Sequence, residues 1–312
     1  MATPLVSVFC DVYNHEPYLR ECLDGIVMQK TDFPIEVIIN DDASTDHSAD
    51  IIREYADKYP ELFVPIYQKE NLFSKRAQSM WSMVEAPRAR GKYVAFCEGD
   101  DYWTDPLKLQ RQVDFLEANP EYSLCFHRVV LSVLQRDGTW KEESDDVRDL
   151  QGRQTIEDLV MNGNQIHTQS VVIRNIPAIW DKLAKMGRVL PVDYPLWVLT
   201  AEHGDIYKLP DTMAVYRVGS GIWSTNPNFI KLKASELSMC SRLSMVVSDP
   251  HIRQLLESGC DYHTRILCSH FDKEVERRNQ VLASHKYRLG AFLLKPVDFY
   301  HRVVRKLRRM CK

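Results

Sequence analysis

The chain has 312 residues, 45% of them apolar and 27% charged, with a formal net charge of −3. That length suits two modest domains or one with appendages, and the composition is that of an ordinary folded, soluble protein. The charge balance argues against wholesale nucleic-acid binding, and no apolar run reaches the length needed to cross a bilayer. Eight cysteines lie scattered without a C-x-x-C pair, several of them at apolar positions. A reduced, cytoplasmic setting is expected, with the thiols acting as small hydrophobes. Met1-Ala-Thr-Pro-Leu5 runs straight into strand-like sequence, so no signal peptide is expected.

Residues 6–12 form an almost continuous apolar run, as expected of a strand covered on both faces. Pro17 opens a predicted helix with Leu19, Cys22, Leu23, Ile26 and Val27 at helical spacing. Residues 36–39 read as a second strand, and a helix is expected near Asp46, with Ala49, Ile52, Tyr55, Ala56 and Tyr59 on one face. A third strand is predicted over 64–67, a helix over 76–84, a fourth strand over 93–97, and a helix from Pro106 through Leu116. Repeated strand–helix units predict an α/β fold, a mostly parallel sheet with helices on both faces. Ligands of such sheets sit beyond the carboxyl ends of the strands, which gathers 11–14, 40–44 and 98–103 on one rim.

After about residue 123 the pattern changes. A long strand over 124–134 leads to an Asp137-Gly138 turn and a predicted hairpin. Residues 142–154 read as an exposed acidic loop, and Thr155 with Asp158 as a helix cap. A strand is expected over 170–173 and a helix over 177–186 ended by Gly187. Another helix is expected over 195–202 ended by Gly204, then short strands over 206–209 and 213–218. From Pro227 the sequence is helical and charged. Three regions are expected: 1–125, 126–225, and a helical region 226–312.

The most informative stretch is Glu98-Gly-Asp-Asp-Tyr-Trp103, just past a buried strand. Adjacent carboxylates there are costly unless a positive partner sits on them. A hard divalent cation, Mg²⁺ or Mn²⁺, bridging to phosphate oxygens would serve; a solvated turn is the plainer alternative.

Read together, the rim segments resemble glycosyltransferase family 2, which has the GT-A fold. The matching pieces are Val6-Ser-Val-Phe-Cys-Asp-Val-Tyr-Asn14, Glu36-Val-Ile-Ile-Asn-Asp-Asp-Ala-Ser-Thr-Asp46, Gly91 through Trp103, and Asp105-Pro-Leu-Lys-Leu-Gln-Arg-Gln112, in matching order and spacing. The resemblance implies a fold of nucleotide-sugar-binding first part (1–125), acceptor-binding and catalytic-base second part (126–225) and helical extension. It implies an inverting glycosyltransferase that moves a sugar from a nucleotide-sugar donor, expected to be UDP-linked, to a glycan or lipid-linked glycan hydroxyl with Mn²⁺ or Mg²⁺.

Carried over by position, Tyr13 and Asn14 would contact the nucleotide, Tyr13 stacking on the base unless it is core. Asp42 would accept from the base's ring N–H, or else belong to a turn and helix cap. Arg76, or Lys75, would approach the diphosphate, unless the two are a solvated basic pair. Asp100 would face the ribose or sugar and Asp101 the metal. Asp193, before Pro195, would be the base that takes the acceptor's proton; its alternative is a helix N-cap. Trp197 and Trp223 either line an acceptor groove or are buried, and His167 is either near the acceptor or structural.

This chain departs from the family where many relatives carry a histidine after Tyr-Arg: it reads Tyr216-Arg-Val-Gly-Ser-Gly221, so Arg217 or the glycine backbone is left to substitute. That departure keeps open a binding protein without turnover. A sugar nucleotidyltransferase would require a glycine-rich basic loop where the chain has Asp11-Val-Tyr-Asn-His-Glu16. The tail from Lys295 carries seven Lys or Arg against one Asp. It would gain about 1 kcal/mol per basic residue at an anionic membrane surface, or else is a solvated end.

Overall fold

The computed structural model describes residues 3–75, 79–144, 152–220 and 229–283. Strand β1 (Val6–Val12), helix α1 (Glu16–Val27), β2 (Ile35–Asp41), α2 (Ser48–Lys58) and β3 (Phe63–Tyr67) follow the predicted alternation. A single helical turn, α3 (Leu72–Lys75), precedes a π-helical turn, Trp81–Glu85, which tightens into a 3₁₀ turn, Ala86–Arg88. The regular helix expected over 76–84 is therefore not what its described part forms. Trp81, Val84 and Glu85 all turn inward there, and Pro87 then denies an α-helix its next N–H.

Strands β4 (Tyr93–Phe96) and β5 (Tyr102–Trp103) bracket the acidic turn, and α4 (Lys108–Ala118) follows. The hairpin is present: β6 (Tyr122–Leu134) pairs antiparallel with β7 (Trp140–Ser144). The stretch expected as one loop over 142–154 begins within β7 and ends in β8 (Gly152–Gln154), which pairs with a later strand. Thr155 and Asp158 form a reciprocal capping box at the start of α5 (Ile156–Asn162). Then come β9 (Val172–Arg174), α6 (Pro177–Lys185), α7 (Asp193–Ala201) and β10 (Asp205–Val218). The two short strands expected over 206–218 are one: β10 runs parallel to β6 and absorbs its surplus length as register shifts around Lys208–Thr212. Helices α8 (Phe229–Val246) and α9 (Pro250–Ala283) close the described chain.

The sheet runs β3-β2-β1-β4-β9-β6-β10-β5, with β7 on β6 and β8 on β10. Pairs β3-β2, β2-β1 and β1-β4 are parallel, and β9 enters antiparallel between β4 and β6. Side chains alternate across the sheet, so β1 sends Val6, Val8, Cys10 and Val12 to a core shared with α1, α2 and α4, and Phe9 to the other. That second core holds Trp81, Phe96, Trp180, Trp197 and the inner faces of α6, α7 and α8. Trp197 is fully buried there, its ring 5.3 Å from Phe96, so it is core rather than groove lining.

Packing separates a compact unit, Met1–Asp261, which contains the whole sheet, from a second, Tyr262–Lys312, whose described residues continue α9. No helix among the described residues is long and apolar enough to cross a membrane. The basic tail and Trp223 lie outside the described residues.

Candidate active site

Two loops at the carboxyl ends of β1 and β2 are laced together. Asn14 takes a left-handed conformation (φ 55°) that turns the chain sharply after β1. Its N–H donates to Ser44 Oγ at 2.9 Å, and its Oδ1 accepts the Thr45 N–H at 2.7 Å. Asp46 accepts from the N–H groups of Ser48 and Glu16, at 2.9 and 3.0 Å, and so joins the starts of α1 and α2. Asn14 is thus a structural tie within the rim. Tyr13 beside it is 42% exposed, outside either core and open to a ligand.

Asp42 is buried, and its oxygens accept the N–H groups of Leu72 (2.6 Å) and Phe73 (2.9 Å). It anchors the α3 turn, with burial pushing its carboxyl up against the pull of those two bonds. Each oxygen keeps a second lone pair, so the anchoring leaves acceptor capacity toward the rim. Lys75 pairs with Glu70 at 2.6 Å on the surface, and Arg76 lies outside the described residues.

The acidic turn is held from behind. Cys97 N–H donates to Phe9 O, Gly99 N–H to Asp11 O and Asp101 N–H to Glu98 O, each at 3.0 Å. Carboxylate oxygens of Glu98, Asp100 and Asp101 come within 4.8 Å of one another. Burial, then Asp100, push the carboxyls of both Glu98 and Asp101 well above the ordinary range. Three hard oxygen donors crowded against their own repulsion fit Mg²⁺ or Mn²⁺, whose charge would relieve it.

From β10, the Arg217 N–H donates to Asp101 Oδ1 at 2.8 Å, and the Arg217 guanidinium reaches the Asp100 carbonyl at 2.6 Å. The same guanidinium pairs with Glu21 and lies over the rings of Tyr18 and Tyr102, at 5.1 and 4.6 Å. Ser220 Oγ donates to Asp100 Oδ2 at 2.9 Å. Arg217 therefore braces the acidic turn from β10.

Asp193 is the first residue of α7, and Val192 holds the cap position. Its Oδ2 accepts from Asn164 Nδ2 at 2.7 Å, while its Oδ1 is buried without a hydrogen-bond partner among the described residues. Burial pushes this carboxyl up; the Tyr194 N–H and Asn164 pull the other way. Asp193 acts electrostatically on Glu98. Burial drives the Tyr216 phenol pKa up, with Asp101, Glu98, Asp100 and Asp193 adding to it. The Tyr216 ring lies 4.9 Å from that of His167. Asp193 and the acidic turn thus act on common groups, Glu98 and Tyr216.

Sequence reasoning gave no role to Glu98, Asn164 or Tyr216. Glu98 was legible, being one alternation step from Asp100; Asn164 was not, since its partner lies 29 residues on, across a loop.

This chain belongs to glycosyl transferase family 2, whose sequence model matches residues 7–175. It is 46% identical over 222 residues to the uncharacterized protein Rv1520 of Mycobacterium tuberculosis, a match covering 70% of this chain and 60% of that one. The chain thus spans about 60% of the length of that curated relative. It is 35% identical over 136 residues to the putative teichuronic acid biosynthesis glycosyltransferase TuaG of Bacillus subtilis, covering 44% of this chain and 50% of TuaG. Among solved structures, S. aureus TarS 1–349 in complex with UDP-GlcNAc aligns with a TM-score of 0.60 at 17% identity, over 83% of this chain and 72% of that one. The Pyrobaculum calidifontis mannosyltransferase PcManGT, in complex with GDP-Man and Mn²⁺, aligns with a TM-score of 0.57 at 17% identity, over 94% of this chain and 84% of that one. These likenesses give the fold, GT-A.

Proposed function

We propose that this chain is an inverting glycosyltransferase that moves a sugar from a nucleotide-sugar, UDP-linked, to a hydroxyl of a glycan or lipid-linked glycan. The observation that carries the reading is Asp193 Oδ1, a buried acceptor without a partner among the described residues, in the same electrostatic neighbourhood as Glu98, Asp100 and Asp101. Membership of family 2 supports it, and the UDP-GlcNAc bound by TarS favours a uridine donor.

Glu98, Asp100 and Asp101 are the residues that would hold Mn²⁺ or Mg²⁺. Such an ion, when bound, supplies charge neutralisation for a departing diphosphate. Tyr13 offers its exposed ring to the base, and Asp42 its remaining lone pairs. Asp193 takes the acceptor hydroxyl's proton; the oxygen attacks the anomeric carbon as the bond to the diphosphate breaks on the opposite face. Burial suits Asp193 to this work, because a carboxylate raised toward neutral pH is a stronger base.

Nucleotide release should be measured with Mn²⁺ across a panel of UDP- and GDP-sugars. Wild-type turnover is expected with a UDP-sugar. Asp101→Ala should remove it, and Asp193→Asn should lower kcat by about 10²-fold or more while leaving UDP affinity nearly intact. Tight nucleotide binding with no turnover of any donor would instead support a binding protein.

A further inference from the structure

We propose that Asn164 is a positioning residue that reserves one oxygen of Asp193, Oδ1, for the acceptor hydroxyl. The inference rests on Asp193 being the base. Asn164 follows Gly163, whose positive φ (75°) carries the chain out of α5 and back toward α7. Its amide is oriented at both ends: Oδ1 accepts the Ile166 N–H at 3.1 Å, and Nδ2 donates to Asp193 Oδ2 at 2.7 Å. Turning the amide over would set its carbonyl against a carboxylate and its NH₂ against an N–H, so the donor faces Asp193.

With Oδ2 held, the carboxylate cannot rotate without breaking a charge-assisted bond. Oδ1 is left as a buried acceptor with no partner among the described residues. An incoming hydroxyl is then the group that satisfies it, and the hydrogen bond so formed lies along the path of proton transfer. The proton passes to Oδ1, the hydroxyl oxygen's electron pair forms the new glycosidic bond, and the old bond's pair leaves on the diphosphate. Asn164 touches none of the reacting atoms; it acts through Asp193.

The groups that share electrostatic influence with Asp193 are Glu98 from the turn after β4, Tyr216 from β10, His167 from the segment before β9, and the Tyr194 N–H of α7 itself. Among them Asn164 favours the ionised carboxylate. Its removal raises the Asp193 pKa and moves the acid limb of the kcat profile to higher pH. Asn164→Asp is nearly isosteric but sets a second carboxylate against Oδ2, so its shift should exceed that of Asn164→Ala.

The test uses the full chain with Mn²⁺ and the best UDP-sugar of the panel, following nucleotide release against pH, with UDP affinity and Tm measured in parallel. Both variants are expected to lose kcat by about 10- to 100-fold, with donor KM and UDP affinity within about twofold of wild type. Wild-type kcat and an unmoved acid limb in Asn164→Asp overturn the inference while leaving the transferase reading in place. Equal losses of kcat, UDP affinity and Tm overturn it too, since they mark a purely structural residue. A wild-type chain that binds UDP yet turns over no donor overturns the transferase reading, and this inference with it.

Discussion

Arg217 shows how one side chain organises the acidic turn from behind. Its guanidinium is buried between Tyr18 and Tyr102, bonded to a carbonyl of the turn and paired with Glu21. Glu21 is half exposed, so most of the benefit comes from the carbonyl bond and the two rings. Arg217→Ala is expected to destabilise the fold by about 2–3 kcal/mol, read by urea unfolding, and to weaken Mn²⁺-dependent UDP binding more than metal-free binding.

Lys108 is the second instructive residue. It is fully buried, donates to Gln112 Oε1 at 2.7 Å and sits 4.2 Å over the Trp103 ring. Burial brings its ammonium pKa down from 10.5 to about 7. Between those values the unfolded chain binds the proton and the folded chain does not. Its contribution to stability is therefore complete above 10.5, declines as pH falls through the window, and is lost below about 7. Lys108→Met should flatten the stability–pH curve across that window, as measured by unfolding at a series of pH values. The Lys-Leu-Gln-Arg-Gln segment was legible as the start of a helix and as a family resemblance, but not as a buried lysine. Its physical role in steadying Trp103, whose Nε1 donates to Gln169 O at 2.9 Å, depends on contacts that no spacing rule reveals.

At the scale of elements, α1 seats itself against the strand that follows the acidic turn. A Cβ at Gly25 would stand 2.7 Å from the Trp103 carbonyl oxygen and 3.0 Å from its nitrogen, backbone atoms that cannot swing aside. Gly25→Ala is expected to cost about 1–3 kcal/mol despite the better helix propensity of alanine. Thermal unfolding checks the sign. The strands β1 to β4 and helices α1, α2 and α4 were readable because their apolar spacing matches the elements that bury them. The π-helical turn was not, because Trp81 and Val84 suit an α-helical face equally well. Nor was the union of two predicted strands into β10, since Pro210 and Asp211 look like a break until β6 is alongside.

For the whole molecule, the rim at the carboxyl ends of the parallel strands was legible from the alternation of elements alone. The role expected of Asp193 was not derivable that way; it came from resemblance, and where α7 lies depends on the return of β9 and α6. One buried core of this unit is aromatic: Phe9, Phe96, Trp81, Trp180 and Trp197 pack together on one face of the sheet. Strands of the parallel half of the sheet and helices α6 and α7 are thus fastened to one core within Met1–Asp261.

The placement of β9 has a consequence for biosynthesis. It slots between β4 and β6, strands finished some 40 to 80 residues earlier in the chain. Until the ribosome has released residue 174, both neighbours carry bare hydrogen-bonding edges that invite pairing with other nascent chains.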